Sequence, residues 1–232
     1  MQVAALVFPN MDQMDFTGPF EVLSRLPGAR IHAVWKDLAP VRDVFGLILT
    51  PSATIETALP DLDVLLVPGG LGQLPLMDNE AILSWLRARA ATARFILSVC
   101  TGALTLGAAG LLHGRRATTH WNSLDLLPYF GAIAEDARVV VDGNLFSTAG
   151  VSAGIDGSLR LAAALAGDAA AQRIQLDMQY APEPPFATGT PGQTPEPILS
   201  AARQAASRLT SARLEAVQRA AHRLGYAGAT AS

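Results

Sequence analysis

The sequence predicts an α/β fold, a three-layer sandwich in which a mainly parallel sheet carries helices on both faces. Short continuous apolar runs alternate along the chain with longer segments of helical period, which is typical of βα units whose strands are buried on both faces. Half of the 232 residues are hydrophobic and 16% are charged, as in compact globular proteins with a sizeable core. We therefore expect a single α/β domain over residues 1–232.

The apolar runs predict four central strands and three shorter ones. The central strands are expected at Val3–Phe8, Ile31–Trp35, Val64–Val67 and Phe95–Val99, and the shorter, antiparallel ones at Leu47–Thr50, Val139–Val141 and Leu145–Thr148. Asp142-Gly143 between the last two runs favours a hairpin turn.

Segments of helical period between the strands predict the helices. They are expected at Pro19–Leu26, Asn79–Ala91, Thr101–Ala109, Ser123–Pro128, Ile155–Ala166, Ala169–Tyr180 and Ile198–Leu224. Residues 181–197 are rich in Pro, Gly and Thr, which predicts an extended loop before the final helix.

The final predicted helix carries five arginines among alanines and leucines. They are Arg203, Arg208, Arg213, Arg219 and Arg223. Such a helix can bind nucleic acid or a partner, but more commonly it is amphipathic and packs on its own domain or on a second subunit, with its arginines in water. We expect the second arrangement.

Charge and cysteine content argue against several classes of protein. The net charge is −3 and the basic residues are scattered, so we expect neither nucleic acid nor a membrane surface as a partner. The single cysteine cannot form an internal disulfide, the N-terminus lacks the basic start of a signal peptide, and no run of 18 apolar residues occurs. These features predict a cytoplasmic protein without a membrane span.

Cys100 follows the strand FILSV directly and precedes a helix that begins with small residues. Strand, nucleophile, small residues and helix are the parts of a nucleophile elbow, in which Gly102 and Ala103 let the helix pack closely behind the reactive side chain. The positive end of the helix and nearby N–H groups would lower the pKa of the thiol. A buried structural cysteine is the alternative.

A second glycine-bearing turn, Pro68-Gly69-Gly70, follows the strand VLLV. In a parallel sheet it opens at the same carboxyl edge as Cys100. The N–H groups of Gly70 and Thr101 could bind an anion that develops on a substrate, whereas a plain tight turn is the simpler interpretation.

Asp15, just beyond the first strand, is the carboxylate nearest that edge. It could exchange a proton beside the sulfur if its surroundings are dry. Equally, Asp15 or Thr17 could cap the helix that Pro19 starts.

His120 is the one histidine that follows the cysteine helix closely enough to return to the site. A structural, hydrogen-bonded histidine is commoner than a catalytic one, so whether it takes part stays open. Val151 and the Ala149-Gly150 turn are further candidates for the lining of the site. No Cys/His cluster has zinc spacing, and no metal is expected.

Four motifs together resemble the ThiJ/PfpI-like branch of the class I glutamine amidotransferase-like superfamily. They are SVCTGALTLGAAGLL, RATTHW, the PGG turn and MDFTGPFEVL, and the resemblance extends over nearly the whole chain. It implies a flavodoxin-like fold, a homodimer and no bound cofactor. It also implies that Cys100 is the nucleophile, Asp15 the acid beside it and Thr101 the residue that assists it.

Two activities of the wider group are disfavoured. The glutaminase triad needs a His-x-Glu downstream of the cysteine, which the sequence lacks. The branch also contains regulators with a helix-turn-helix module. One long helix after the loop is too short a segment to form such a three-helix DNA-binding module.

Asp15 within DFTGP points to members of the branch that hydrate organic isocyanides, R–N≡C, to N-substituted formamides. The expected route is attack by the Cys100 thiolate, protonation by Asp15 to give a thioimidate, and hydrolysis with Asp15 as base. It needs the pKa of the thiol lowered and that of the carboxyl raised. The alternatives are a glyoxalase- or deglycase-like enzyme or a peptidase that uses the same thiol, and a cysteine redox sensor.

Overall fold

The structure is a computed structural model that describes residues 1–58 and 61–226. In chain order the strands are β1 (Gln2–Leu6), β2 (Arg30–Trp35), β3 (Val41–Arg42), β4 (Ile48–Leu49), β5 (Ala53–Thr54), β6 (Val64–Val67), β7 (Phe95–Val99), β8 (Arg116–Ala117), β9 (Ile133–Ala134), β10 (Val139–Asp142) and β11 (Leu145–Thr148). The helices are α1 (Gln13–Leu23), α2 (Gln73–Leu76), α3 (Glu80–Ala90), α4 (Gly102–Ala108), α5 (Ala153–Ala166), α6 (Asp168–Asp177) and α7 (Glu196–Arg223), and the 3₁₀ helices are Trp121–Phe130 and Pro191–Gln193.

A seven-stranded sheet forms the centre of the molecule, in the order β10-β11-β7-β6-β1-β2-β5. All neighbouring strands are parallel except β10 and β11, which form the predicted hairpin. Every residue of β6 is buried, as expected for a strand that is covered on both faces. The prediction of a mainly parallel sheet is therefore confirmed.

Helices cover the sheet in two packed groups. In one, α5 packs on α1 and α6 and lies against β7 and β11. In the other, α4 packs on α2, α3 and α7 and lies against β6 and β7. The result is the three-layer α/β sandwich of flavodoxin-like type that the sequence predicts. Among the described residues no helix is both long and apolar enough to cross a bilayer.

The strand order reverses direction between β1 and β6. The chain passes from β1 to β2 on one side and later returns to place β6 and β7 on the other. Parallel sheets bind ligands outside the carboxyl ends of their strands at such a switch point. The segments that follow β1, β6 and β7 therefore share one edge.

Three predicted elements differ from the structure. The first helix begins at Gln13, not at Pro19, because Asp12 caps it by accepting from the Met14 N–H at 3.0 Å. Pro19 lies inside the helix, where it removes only one backbone hydrogen bond. β11 is antiparallel to β10 but parallel to β7, so it is an inner strand. The segment predicted as a helix at Ser123–Pro128 is a longer 3₁₀ helix.

Candidate active site

Cys100 lies between β7 and α4 in a backbone conformation that L-residues seldom adopt, with φ of +55°. Such strain persists only where the surroundings fix the backbone. Here the Cys100 N–H donates to the carbonyl oxygens of Ala149 at 2.9 Å and Thr148 at 3.2 Å, and its own carbonyl accepts from the Thr119 hydroxyl at 2.7 Å. The predicted nucleophile elbow is confirmed.

α4 can follow this turn so closely because Gly102 has no side chain. A Cβ atom at Gly102 would lie 2.0 Å from the carbonyl oxygen of Val67, the last residue of β6. The glycine thus brings the start of the helix against the neighbouring strand and fixes the direction in which Cys100 projects.

Asp15 lies in the first turn of α1 and is fully buried. Its Oδ2 accepts from the Gly69 N–H at 2.9 Å, while its Oδ1 has no hydrogen-bond partner of normal geometry among the described residues. An unpaired buried carboxylate oxygen is costly. The arrangement therefore favours the protonated carboxyl group.

Burial raises the pKa of Asp15 to about 8, with a smaller contribution from the negative charge of Asp12. The Gly69 N–H and the neighbouring Cys100 thiol oppose the shift but do not cancel it. The direction matches the sequence-based expectation for this carboxyl. At neutral pH Asp15 holds its proton.

The expectation of a lowered pKa for the Cys100 thiol is wrong in direction. The side chain is buried, and loss of water raises its pKa; an ionised Asp15 would raise it further. The N–H groups of Thr101 and Val151 and the charge of Arg213 act in the opposite direction. Since Asp15 is protonated at neutral pH, its charge is absent there, which leaves these three groups to stabilise the thiolate.

The turn after β6 closes on the start of α4. The Gly70 N–H donates to the Thr101 hydroxyl at 3.1 Å, and the Thr101 N–H faces the Cys100 sulfur. Both N–H groups thus have partners within the protein in this arrangement. Their use by a substrate anion stays a prediction.

A cavity of about 570 Å³ is lined in part by residues that contact Cys100. Its wall includes Thr119, Ala149 and Val151, and the loop at 189–192 closes one side. His120 also lines this cavity. Its Nδ1 lies 2.7 Å from Asn122 Oδ1. Burial lowers the pKa of His120, so the imidazole is neutral.

Sequence reasoning brought together Cys100, Asp15, Thr101 and Gly70 but missed the residues that hold them. Gly69 binds the Asp15 carboxyl, Thr119 holds the Cys100 carbonyl, and Arg213 approaches from the last helix. Gly69 acts through its backbone N–H and Thr119 through its hydroxyl, and one sequence does not reveal that either group lies at the site. Glu21, the second carboxylate of α1, is exposed and pairs with Arg25. No cluster of three or more potential metal ligands occurs within the described part of the chain.

Comparison with known proteins assigns this arrangement to a family. The chain is 50% identical to an isonitrile hydratase of Pseudomonas putida over 224 residues, which are 97% of this chain and 98% of that enzyme. A crystal structure of a ThiJ/PfpI family protein from Pseudomonas syringae is 41% identical, with a TM-score of 0.91 over 93% of this chain and 90% of that one. An HTH-type transcriptional regulator of Pseudomonas aeruginosa is 30% identical over 182 residues, 75% of this chain and 53% of the regulator.

The family model of the DJ-1/PfpI family matches residues 1–164, the region that contains the whole sheet and the elbow. α6 and α7 lie beyond that match and complete the packing around it. The chain belongs to the DJ-1/PfpI family.

Proposed function

We propose that this protein is an isonitrile hydratase, which converts an organic isocyanide and water into the N-substituted formamide. The observation that carries the proposal is the buried pair formed by a protonated Asp15 and Cys100 on its elbow. The similarity to the Pseudomonas putida enzyme over nearly the full length of both chains supports it. No bound cofactor is part of the proposal.

In the first step Cys100, as the thiolate that remains after the thiol proton has passed to water, attacks the terminal carbon of R–N≡C. A new S–C bond forms from a sulfur lone pair, and the carbon takes the proton of Asp15, which becomes a carboxylate. The product is a covalent thioimidate, Cys–S–CH=N–R. The raised pKa of Asp15 suits this step because the carboxyl holds a proton to give at neutral pH.

In the second step the Asp15 carboxylate takes a proton from water, and the water oxygen attacks the same carbon. The proton passes to the substrate nitrogen, and the tetrahedral intermediate collapses. The C–S bond breaks, the thiolate leaves, and the hydroxyl proton returns to Asp15 as the formamide forms. Both groups regain their starting states, so the net reaction consumes one isocyanide and one water.

The restricted access to the sulfur favours a small, slender substrate. Cys100 is 7% exposed. The neighbouring cavity is lined by Trp121, small residues and the 189–192 loop, together with the charged Asp136 and Arg138. A linear isocyano group needs little space to approach such a buried sulfur, whereas a peptide chain needs an open groove. Loss of methylglyoxal in the presence of the protein would instead favour the glyoxalase-like alternative.

The proposal is tested by formamide production from p-nitrophenyl isocyanide. We expect turnover by the wild type and loss of at least about a hundredfold in Cys100→Ala and Asp15→Asn. The control is Glu21→Gln, which removes an exposed carboxylate from the same helix and should leave turnover unchanged. Turnover by Cys100→Ala at the wild-type rate would exclude the mechanism.

We further propose that the chain forms one domain, that it assembles as a homodimer and that it works in the cytoplasm. The packing of α7 on α4 and on the 3₁₀ helix at 121–130 supports the single domain. Exposed apolar side chains around the β3–β4 hairpin, among them Phe45 at 86% exposure, support a second copy as the partner. The single, unpaired cysteine is compatible with a reducing compartment.

A further inference from the structure

Arg213 departs from the other arginines of α7. Arg203, Arg208, Arg219 and Arg223 are exposed, whereas Arg213 is only 5% exposed. The expectation that all five lie in water is therefore wrong at this position. The physical reason is the helical period: Arg213 shares one face of α7 with the buried Ala216, Val217 and Ala220.

The buried guanidinium has few partners. Its Nη1 lies 3.4 Å from Asn122 Oδ1 and 3.4 Å from Ser123 Oγ, and its Nε has no hydrogen-bond partner among the described residues. No ion pair links it to a carboxylate in that part of the chain. Because a buried charge without a counter-charge is costly, an anion nearby would stabilise it.

The Cys100 sulfur is the group that can supply that anion. Arg213 contacts Asn122 and Ser123 at the start of the 3₁₀ helix. Asn122 Oδ1 in turn lies 2.7 Å from Nδ1 of His120, whose neighbour Thr119 holds the Cys100 carbonyl. The two groups are close enough to interact by charge: Arg213 lowers the pKa of the thiol, and an ionised Cys100 raises that of the guanidinium.

The other titratable groups near the sulfur do not provide a positive charge. Asp15 is buried and protonated, Asp12 is an acid, and burial lowers the pKa of His120. Among the groups that act on Cys100 in the described structure, Arg213 is the cation.

We propose that Arg213 is a positioning residue of the active site, which stabilises the anionic sulfur of Cys100 before it attacks and when it leaves. It is supplied by α7, outside the region 1–164 that the DJ-1/PfpI family model matches. The C-terminal helix thus completes the site electrostatically as well as covering the domain. The role in turnover rests on the proposed hydratase function, whereas the effect on the thiolate does not.

Alkylation of Cys100 by iodoacetamide, followed by intact mass over a pH series, tests the inference without any isocyanide. Arg213→Gln keeps a hydrogen-bond donor but removes the charge, and Arg213→Lys keeps the charge. At a pH below the thiol pKa we expect alkylation to slow about tenfold in Arg213→Gln, equivalent to about one pKa unit, and to stay within about threefold of wild type in Arg213→Lys. Arg208→Gln, on the exposed part of the same helix, is the matched control and should change nothing.

The formamide assay completes the test, since kcat/KM should fall in Arg213→Gln by the same factor as alkylation. Equal alkylation rates in wild type and Arg213→Gln, or equal losses in the Gln and Lys variants, would overturn the inference. If Arg213→Gln does not unfold cooperatively in urea, Arg213→Lys alone tests the inference. Alkylation of Cys100 that is slower than wild type by well beyond threefold in Arg213→Lys would then contradict the role of charge. The wild type could fail to hydrate isocyanides while alkylation of Cys100 still depends on the charge at position 213. That result would exclude the proposed function but support the inference about Arg213.

Discussion

At the scale of single residues, the site depends on burying an acid and a thiol side by side. Burial disfavours the charged form of each group and so raises its pKa, and the backbone N–H groups around the two side chains limit that rise. Gly69 holds the Asp15 carboxyl, whereas Thr101 and Val151 direct their N–H groups at the Cys100 sulfur. The site therefore keeps the acid neutral and provides the donors for an anion on sulfur.

A first prediction concerns the pH dependence of turnover. The active form of Asp15 is the protonated one, and burial raises its pKa to about 8. The thiol pKa is also raised, so the thiolate fraction grows with pH and kcat/KM should rise below pH 8, up to about tenfold for each unit. Above about 8 the loss of the Asp15 proton offsets the gain in thiolate, and kcat/KM should level off. The measurement is kcat/KM for p-nitrophenyl isocyanide from pH 6 to pH 10. A profile that rises steadily to pH 10 would contradict a protonated Asp15 as the acid.

The identities of the central residues could be predicted from the sequence, but their electrostatic states could only be predicted in part. The position of Cys100 between an apolar strand and small residues indicated the elbow, and the raised pKa of Asp15 followed from the need for an acid. The thiol was expected to have a lowered pKa because helix and N–H effects are visible in the sequence, whereas the depth of burial is not.

At the scale of secondary structure elements, the site is assembled by three strand-to-helix turns. β1 leads to Asp15, β6 to Gly69 and β7 to Cys100, and these strands are neighbours in the sheet. A backbone hydrogen bond of 3.0 Å from the Asp12 N–H to the Gly69 carbonyl joins the first two turns. In two of these turns, those after β6 and β7, the backbone lies so close to another segment that only glycine fits.

A second prediction concerns Gly102→Ala. The new Cβ would lie 2.0 Å from the Val67 carbonyl oxygen, so α4 or β6 must move. We expect the free energy of unfolding to fall by about 2–3 kcal/mol and turnover to fall with it, because Cys100 is displaced. Gly192→Ala is the control, since no atom lies within 4 Å of its added Cβ, and its stability should stay within about 0.5 kcal/mol of wild type. Urea unfolding of both variants makes the comparison, and equal stabilities would contradict the close-contact argument.

Strands were easier to predict than the short connecting elements. Continuous apolar runs identified β1, β2, β6 and β7 to within a few residues. The two-residue strands β3, β5, β8 and β9 and the single turn of α2 depend on contacts distant in sequence, which a local pattern does not contain. The start of α1 was missed because Pro19 suggested a first helical turn, whereas the cap at Asp12 determined it.

At the scale of the whole molecule, the long C-terminal helix links the surface to the active site. Its outer arginines Arg219 and Arg223 pair with Asp78 at the end of α2, and its inner face carries Arg213 toward Cys100. The sequence predicted the helix and its packing, but the arginines were treated as one group. The positions three, four and seven residues after Arg213 are apolar, a signal that would have separated it from the others.

A third prediction concerns assembly. Large apolar side chains are exposed around the β3–β4 hairpin, namely Leu38, Phe45, Leu47 and Ile48. Surfaces of this kind are commonly covered by a partner, and the proposed homodimer would bury this one. Light scattering after size exclusion should give twice the chain mass for wild type and a larger monomer fraction for Phe45→Ser. The exposed Phe186 lies in the loop far along the chain, and Phe186→Ser is the control; a wild type that is monomeric at all concentrations would contradict the dimer.

The central claim is that Cys100 carries the substrate as a thioimidate, and rapid acid quenching followed by intact mass tests it most directly. With p-nitrophenyl isocyanide present, the account predicts a wild-type population heavier by the mass of one isocyanide, located on Cys100 by peptide mapping. It also predicts no such adduct in Cys100→Ala, which should form no formamide. Formamide production by Cys100→Ala, or steady turnover by wild type with the adduct on a residue other than Cys100, would contradict the account.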